Sequence, residues 1–220
     1  MLLFDNKDKI VFIGDSVTDA GRLRPIGQAC TQDALGTGYV RLIDTFLNVF
    51  YPENTYQVVN MGISGQQSRH LVARWQTDVL DLHPNWVVMM IGANDVWRQF
   101  DNPCNPENGV MPEAYEQNLR KMIEDTLPHV KGMVLMTPYY MEPCKEDPMR
   151  ARMDEYGTIV KKLAAEYNLP CADLQPDFND YLQYRHSAFI MADRVHPGRI
   201  GSMIIARAFL RTVGFDREVI

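Results

Sequence analysis

The first apolar run of the chain ends in Ile13-Gly14-Asp15-Ser16-Val17-Thr18-Asp19. A serine placed where a strand turns into the next segment presents its hydroxyl at the open edge of a sheet. Its own backbone N–H can also point into the same space, as a site for a developing oxyanion requires. A plain polar turn would use the same letters, because Gly, Asp and Ser are favoured there. The chain holds five serines, at 16, 64, 68, 187 and 202, so few compete for the role of nucleophile. Ser64, in Gly62-Ile63-Ser64-Gly65-Gln66, lacks the second glycine of a G-x-S-x-G elbow and is set aside.

Three further groupings supply partners. Asn60-Met61-Gly62 closes the second apolar run, and glycine there permits close backbone approach and frees an N–H as a donor; a simple turn is the alternative. Gly92-Ala93-Asn94-Asp95 closes the third, offering a neutral amide as a further oxyanion donor, although an Asx-turn cap reads the same. Asp193-Arg194-Val195-His196-Pro197 precedes the last helical segment. A carboxylate three residues before a histidine reaches the imidazole Nδ1–H, fixes the tautomer and leaves Nε2 free to accept a serine proton. Of five histidines (70, 83, 129, 186, 196) only His196 has that carboxylate together with a proline in its loop.

These groups need elements to hold them. Apolar, β-branched or Met-rich runs occur at Lys9–Ile13, Tyr56–Asn60, Trp86–Ile91, Gly132–Met136 and, weakly, Leu169–Asp173. The middle three are nearly continuous, as in strands covered on both faces. Helical periodicity fills the gaps at Tyr39–Val49, Ser68–Leu80, Glu113–Leu127, Met149–Tyr167 and Arg199–Val213, the last with Ile200, Met203, Ile204 and Phe209 as its apolar face. Strands alternating with helices predict an α/β fold, a three-layer α/β/α sandwich around a five-stranded parallel sheet, whose functional groups gather beyond the carboxyl ends of the strands. One domain over 1–220 suffices. The loops Trp97–Pro112 and Pro138–Pro148 follow the third and fourth strands and should overhang that edge.

Composition excludes several classes. Twenty-two basic against 28 acidic residues give a net charge of −6 with no basic run, so no nucleic-acid footprint is present. Cys30, Cys104, Cys144 and Cys171 lie far apart without metal-ligand spacing, which argues against both a zinc site and a disulfide framework. No stretch of 18 apolar residues exists to span a membrane. The start turns charged after Met1-Leu2-Leu3-Phe4, unlike a secretory signal, so a cytoplasmic protein is expected.

Together, GDS at 14–16, the glycine at 62, G-x-N-D at 92–95 and D-x-x-H at 193–196 resemble the four sequence blocks of the SGNH (GDSL) hydrolases, a flavodoxin-like fold family. The resemblance implies a serine esterase with Ser16 as nucleophile, His196 as general base and acid, and Asp193 orienting the histidine. It implies an oxyanion hole of the Ser16 and Gly62 N–H groups and the Asn94 side chain, with Asp15 and Asp95 structural, and no metal or organic cofactor. The words Leu35 to Val40 (LGTGYV), Ile91 to Gln99 (IGANDVWRQ), Met136-Thr137-Pro138 and Asp147 to Arg150 (DPMR) are closer still to the intracellular acetylxylan esterases of bacilli. That subgroup implies deacetylation of acetylated xylo-oligosaccharides and a homo-oligomer, with an acetylated sugar as the small-molecule partner. A lysophospholipase or thioesterase of the same family is the alternative, but it would want a long aliphatic groove. The overhanging loops instead mix Trp97, Phe100, Tyr139 and Tyr140 with charges and prolines, so Trp97 and Tyr139 are expected among the substrate contacts. Ala192, before Asp193, replaces the bulky aromatic residue expected there.

Overall fold

A computed structural model describes residues 1–29, 33–102 and 104–215; Cys30 therefore lies outside the described residues. The long apolar runs form the strands β1 (Lys9–Gly14), β3 (Gln57–Asn60), β4 (Trp86–Met90) and β5 (Gly132–Met136). They hydrogen-bond in parallel in the order β3-β1-β4-β5, with Val11 opposite Val59 and Val87, and Val88 opposite Val134. Two short edge strands complete a six-stranded sheet. Cys171–Ala172 (β6) joins β5 in parallel, and Gly27–Gln28 (β2) joins β3 antiparallel. The sheet is therefore one antiparallel edge strand larger than the five parallel strands expected. At two residues β2 is too short to leave a periodic trace in the sequence.

Side chains alternate between the two faces of the sheet. Phe12, Trp86, Val88, Met90, Val134 and Met136 point to one side, where α2 (Tyr39–Phe50) and α8 (Gly198–Thr212) cover them. Ile13, Val87, Met89, Met133 and Leu135 point to the other, under α3 (Ser68–Asp78), α5 (Pro112–Thr126) and α6 (Pro148–Glu166). Removing apolar side chains from water on both faces is the main force holding the three layers together. In α2, Val40, Ile43 and Leu47 are fully buried, as their spacing requires, and in α3 so are Leu71 and Trp75.

The last helix departs from its expected pattern. Ile204 and Phe209 face the core, whereas Ile200 and Met203 stand outside, 44% and 39% exposed. Short helices occupy the strand ends that carry the motifs: α1 (Ser16–Asp19) after β1 and α4 (Ala93–Trp97) after β4. The remaining helix, α7 (Gln175–Leu182), follows β6 and buries Phe178. Among the described residues no helix is long and apolar enough to cross a membrane.

Candidate active site

Beyond the carboxyl ends of the strands the expected residues converge. Ser16 opens α1 and is capped by its neighbour, since the Asp15 carboxylate accepts the Val17 N–H at 3.0 Å. The first N–H groups of a helix have no intrahelical acceptor, so the Ser16 N–H is at a position suited to an external anion. Ser16 Oγ lies 2.9 Å from His196 Nε2. On the far side of the ring, His196 Nδ1 lies 2.7 Å from Asp193 Oδ2.

One carboxylate organises this loop. Asp193 Oδ1 accepts the N–H groups of Val195 (3.0 Å) and His196 (2.9 Å), which wraps the chain tightly and leaves Oδ2 for the imidazole. The turn requires Arg194 at φ 61°, in the left-handed region. Although burial pushes the Asp193 carboxyl up, the His196 ring and these two N–H groups hold it below the ordinary aspartate range. It is a carboxylate wherever the enzyme is folded near neutral pH.

The loop is fastened from the next layer. Tyr139 Oη donates to the Val195 carbonyl at 2.9 Å, the Met141 N–H donates to the Arg194 carbonyl at 2.9 Å, and Arg194 pairs with Glu142 at 2.5 Å. Tyr139, expected among the substrate contacts, is thus placed elsewhere. It is 3% exposed, stacked on Phe178 at 4.1 Å, and its hydroxyl is spent on the backbone. Its aromatic ring completes the core while its polar tip satisfies a carbonyl that would otherwise be buried alone. Trp97 does face the site: its half-buried ring meets that of His196 edge-on, with centroids 6.1 Å apart.

Gly62 and Asn94 lie at the neighbouring strand ends. A Cβ on Gly62 would stand 2.2 Å from the Asp19 nitrogen, so glycine is needed for the close approach of α1. Its N–H donates to Asn60 Oδ1 at 2.9 Å. An oxyanion at Gly62 would therefore share this donor with an internal acceptor. Asn60 is fully buried, and its amide also donates to the carbonyls of Thr18 (2.6 Å) and Leu35 (2.9 Å), tying the nucleophile's turn to β3. In the sequence Asn60 carries only a weak signal, a lone amide ending the apolar strand Gln57–Asn60. Gly92, before Asn94, adopts φ 138°, a conformation that favours glycine. The Asn94 Nδ2 donates to the Gln66 carbonyl at 3.1 Å.

Two further carboxyls lie underneath. Burial lifts Asp15 to about 6, against the pull of the Val17 N–H, of His196 and of the Asn94 amide. Burial lifts Asp95 to about 7, although Ser68 donates to it through its N–H and, at 2.5 Å, its hydroxyl. Ser64 is engaged by Asp19, which accepts from its N–H and hydroxyl at 2.9 and 3.0 Å. Among the described residues no group of three or more His, Cys, Asp or Glu side chains has the arrangement to hold a metal ion.

The chain is 50% identical over 209 residues to an acetylxylan esterase of Geobacillus stearothermophilus, covering 95% of each sequence. The crystal structure of Axe2, an acetylxylan esterase from that organism, superposes with a TM-score of 0.95 at 49% identity, covering 98% of both chains. Catalytic mutants of Axe2, with a serine, an aspartate or a histidine changed to alanine, superpose equally well. A more distant relative is the thioesterase 1/protease 1/lysophospholipase L1 of Escherichia coli, 30% identical over 150 residues, 68% of this chain and 63% of that one. The sequence pattern of the GDSL-like lipase/acylhydrolase family matches residues 12–204, and the chain belongs to that family.

Proposed function

We propose that this protein is a single-domain serine esterase that removes acetyl groups from acetylated xylo-oligosaccharides. The observation that carries the reading is the unbroken Ser16–His196–Asp193 relay in a chain half identical to an acetylxylan esterase over nearly its whole length. His196 Nε2 takes the Ser16 proton as Oγ bonds to the acetyl carbonyl carbon, and Asp193 steadies the imidazolium that results. The tetrahedral oxyanion is held by the Ser16 N–H, the Asn94 amide and a share of the Gly62 N–H. The bond to the sugar oxygen breaks, and that oxygen leaves with the proton from His196. A water then gives its proton to His196, attacks the acetyl-enzyme and releases acetate, returning the proton to Ser16.

The sugar reading is favoured over a lipid one by Trp97, whose ring stands beside His196 with the Arg98 guanidinium 5.3 Å from it, a platform suited to an amphipathic ring. The test is kcat/KM for 4-nitrophenyl acetate, butyrate and octanoate beside acetylated xylobiose. Acetate and the sugar should be preferred. Each methylene buried in a fitting groove stabilises an acyl chain by roughly 0.8 kcal/mol, so a lipid enzyme would improve with length instead. A rise towards octanoate without sugar deacetylation would overturn the substrate assignment and leave the esterase.

We infer also that the chain assembles with copies of itself. Phe189, Met191, Ile200 and Met203 are 62%, 40%, 44% and 39% exposed, and the turn around residue 190 packs on the start of α8 at Gly198 and Gly201. Ile200 and Met203 line one open groove between Arg199 and Arg207, and exposed apolar side chains in such a groove suit a partner. Light scattering after size exclusion should give a mass above 25.3 kDa, reduced by Met203→Glu. A cytoplasmic location accords with Cys104, Cys144 and Cys171 remaining as free thiols, two of them exposed.

A further inference from the structure

We infer that Arg98 is a positioning residue for the oxyanion donor: its guanidinium fixes which way the Asn94 amide faces and so aims the amide N–H at the reacting carbonyl. The inference rests on reading Asn94 as that donor. An asparagine side chain has two nearly isosteric ends, and a donor is useful only if nitrogen, not oxygen, faces the developing charge. Two contacts decide the matter here. Arg98 Nη2 lies 3.2 Å from one end of the amide. A guanidinium has donors and no acceptor, so that end is Oδ1. The other end lies 3.1 Å from the Gln66 carbonyl, which accepts and cannot donate, so that end is Nδ2. With the Oδ1 held and one N–H used, the second N–H has a single direction left.

Arg98 is itself held in place. It forms an ion pair with Asp101, and its guanidinium carbon sits 5.3 Å from the centroid of Trp97. Trp97 in turn meets the His196 ring. The same side chain therefore touches the oxyanion donor on one side and, through Trp97, the wall of the general base on the other. Its remaining surface borders an open polar cavity of about 540 Å³ with Gln67, Arg69 and Asn108, so its placement is not explained by core packing. Preorganised donors are effective because they need no reorientation as charge develops. An Asn94 without Arg98 has lost the contact that disfavours the flipped amide.

The test is a double-mutant cycle on kcat/KM for 4-nitrophenyl acetate, using Arg98→Ala, Asn94→Ala and the double variant. Loss of an oxyanion donor costs on the order of 10²–10³ in turnover. Arg98→Ala should cost about tenfold or more in the wild-type background, and less than about twofold once Asn94 is alanine, because the group it aims is gone. Arg98→Lys, which keeps a charged donor but not the planar fork, should recover part of the loss. Thermal midpoints of all variants report folding independently; if Arg98→Ala is unfolded, Arg98→Lys against Asn94→Ala gives the same cycle. Effects of Arg98 and Asn94 that multiply, or an Arg98→Ala enzyme with wild-type kcat/KM, would overturn the inference. An Asn94→Ala enzyme with full activity would instead overturn the oxyanion assignment beneath it.

Discussion

At the scale of single residues, Asp193 sets the chemistry by doing three things with two oxygens. It accepts two backbone N–H groups on Oδ1, holds the His196 ring on Oδ2, and carries the charge that favours an imidazolium. Asp193→Asn keeps Oδ1 for the loop but presents an amide N–H to the ring. The imidazole must then turn its proton towards Ser16, where it cannot act as a base. We expect a loss in kcat on the order of 10⁴ with an unchanged thermal midpoint; turnover near the wild type would mean that another carboxylate orients the histidine. Ser16→Ala should abolish ester hydrolysis, and a fluorophosphonate should label Ser16 alone, because Ser64 is spent on Asp19. Label on Ser64 would refute the assignment of the nucleophile. Ser16, Asp193 and His196 were legible in the sequence because their roles demand particular side chains at particular separations. Asn60, Arg98 and the buried hydroxyl of Tyr139 were not. They act through backbone carbonyls or through another side chain, and such contacts leave no fixed spacing.

At the scale of elements, the strand ends are placed by packing and the motif residues ride on them. β1, β3, β4 and β5 stand where apolar runs predict them, since central strands are buried on both faces and their composition says so. β2 and β6 have two residues each, and their existence depends on a neighbouring edge rather than on their own letters. α7 was hidden for a related reason: over eight residues, with Gln175, Asp177 and Phe178 its buried members, it offers little apolar periodicity. The glycine at 62 was legible as a special position, and its geometry adds a structural demand. In Gly62→Ala the new methyl would meet backbone at 2.2 Å, which no side-chain rotation relieves. That change should destabilise the fold by about 1–3 kcal/mol in urea denaturation and lower kcat as the N–H moves. Tyr139→Phe removes only a hydroxyl, but strands the Val195 carbonyl; about 1–3 kcal/mol of stability should be lost, with activity falling as the His196 loop loosens. A Tyr139→Phe enzyme of wild-type stability would show that the contact contributes nothing to the loop.

At the scale of the whole molecule, buried carboxyls beneath the catalytic site tie the stability of the fold to pH. Catalysis needs a neutral His196 to accept the Ser16 proton. The fold contains two carboxyls beneath the same site that burial raises, Asp15 to about 6 and Asp95 to about 7, the Asp15 charge adding to the rise at Asp95. In the unfolded chain both ionise near the ordinary aspartate value of 3.8. Between about pH 4 and pH 7 these two carboxyls therefore bind fewer protons in the unfolded state than in the folded one, and their contribution to stability falls as pH rises through that window. Asp193, Asp19 and Asp177 are shifted the other way, so their contribution is lost only as pH drops below the ordinary value, outside the window. Within the window the His70 imidazole, lowered by burial and by the charges of Arg69 and Arg74, acts against the buried pair. Asp95→Asn isolates the contribution of Asp95. An amide cannot ionise, so the variant should show a clearly shallower decline in unfolding free energy between pH 4.5 and pH 8 than the wild type, whatever its absolute stability. The difference in slope, and not in midpoint at any one pH, is the quantity that counts, because the new amide nitrogen faces a Ser68 donor and costs stability equally at every pH. Parallel slopes for the two proteins would mean that Asp95 is ionised in the folded state throughout, held so by the three hydrogen-bond contacts it receives from Ser68.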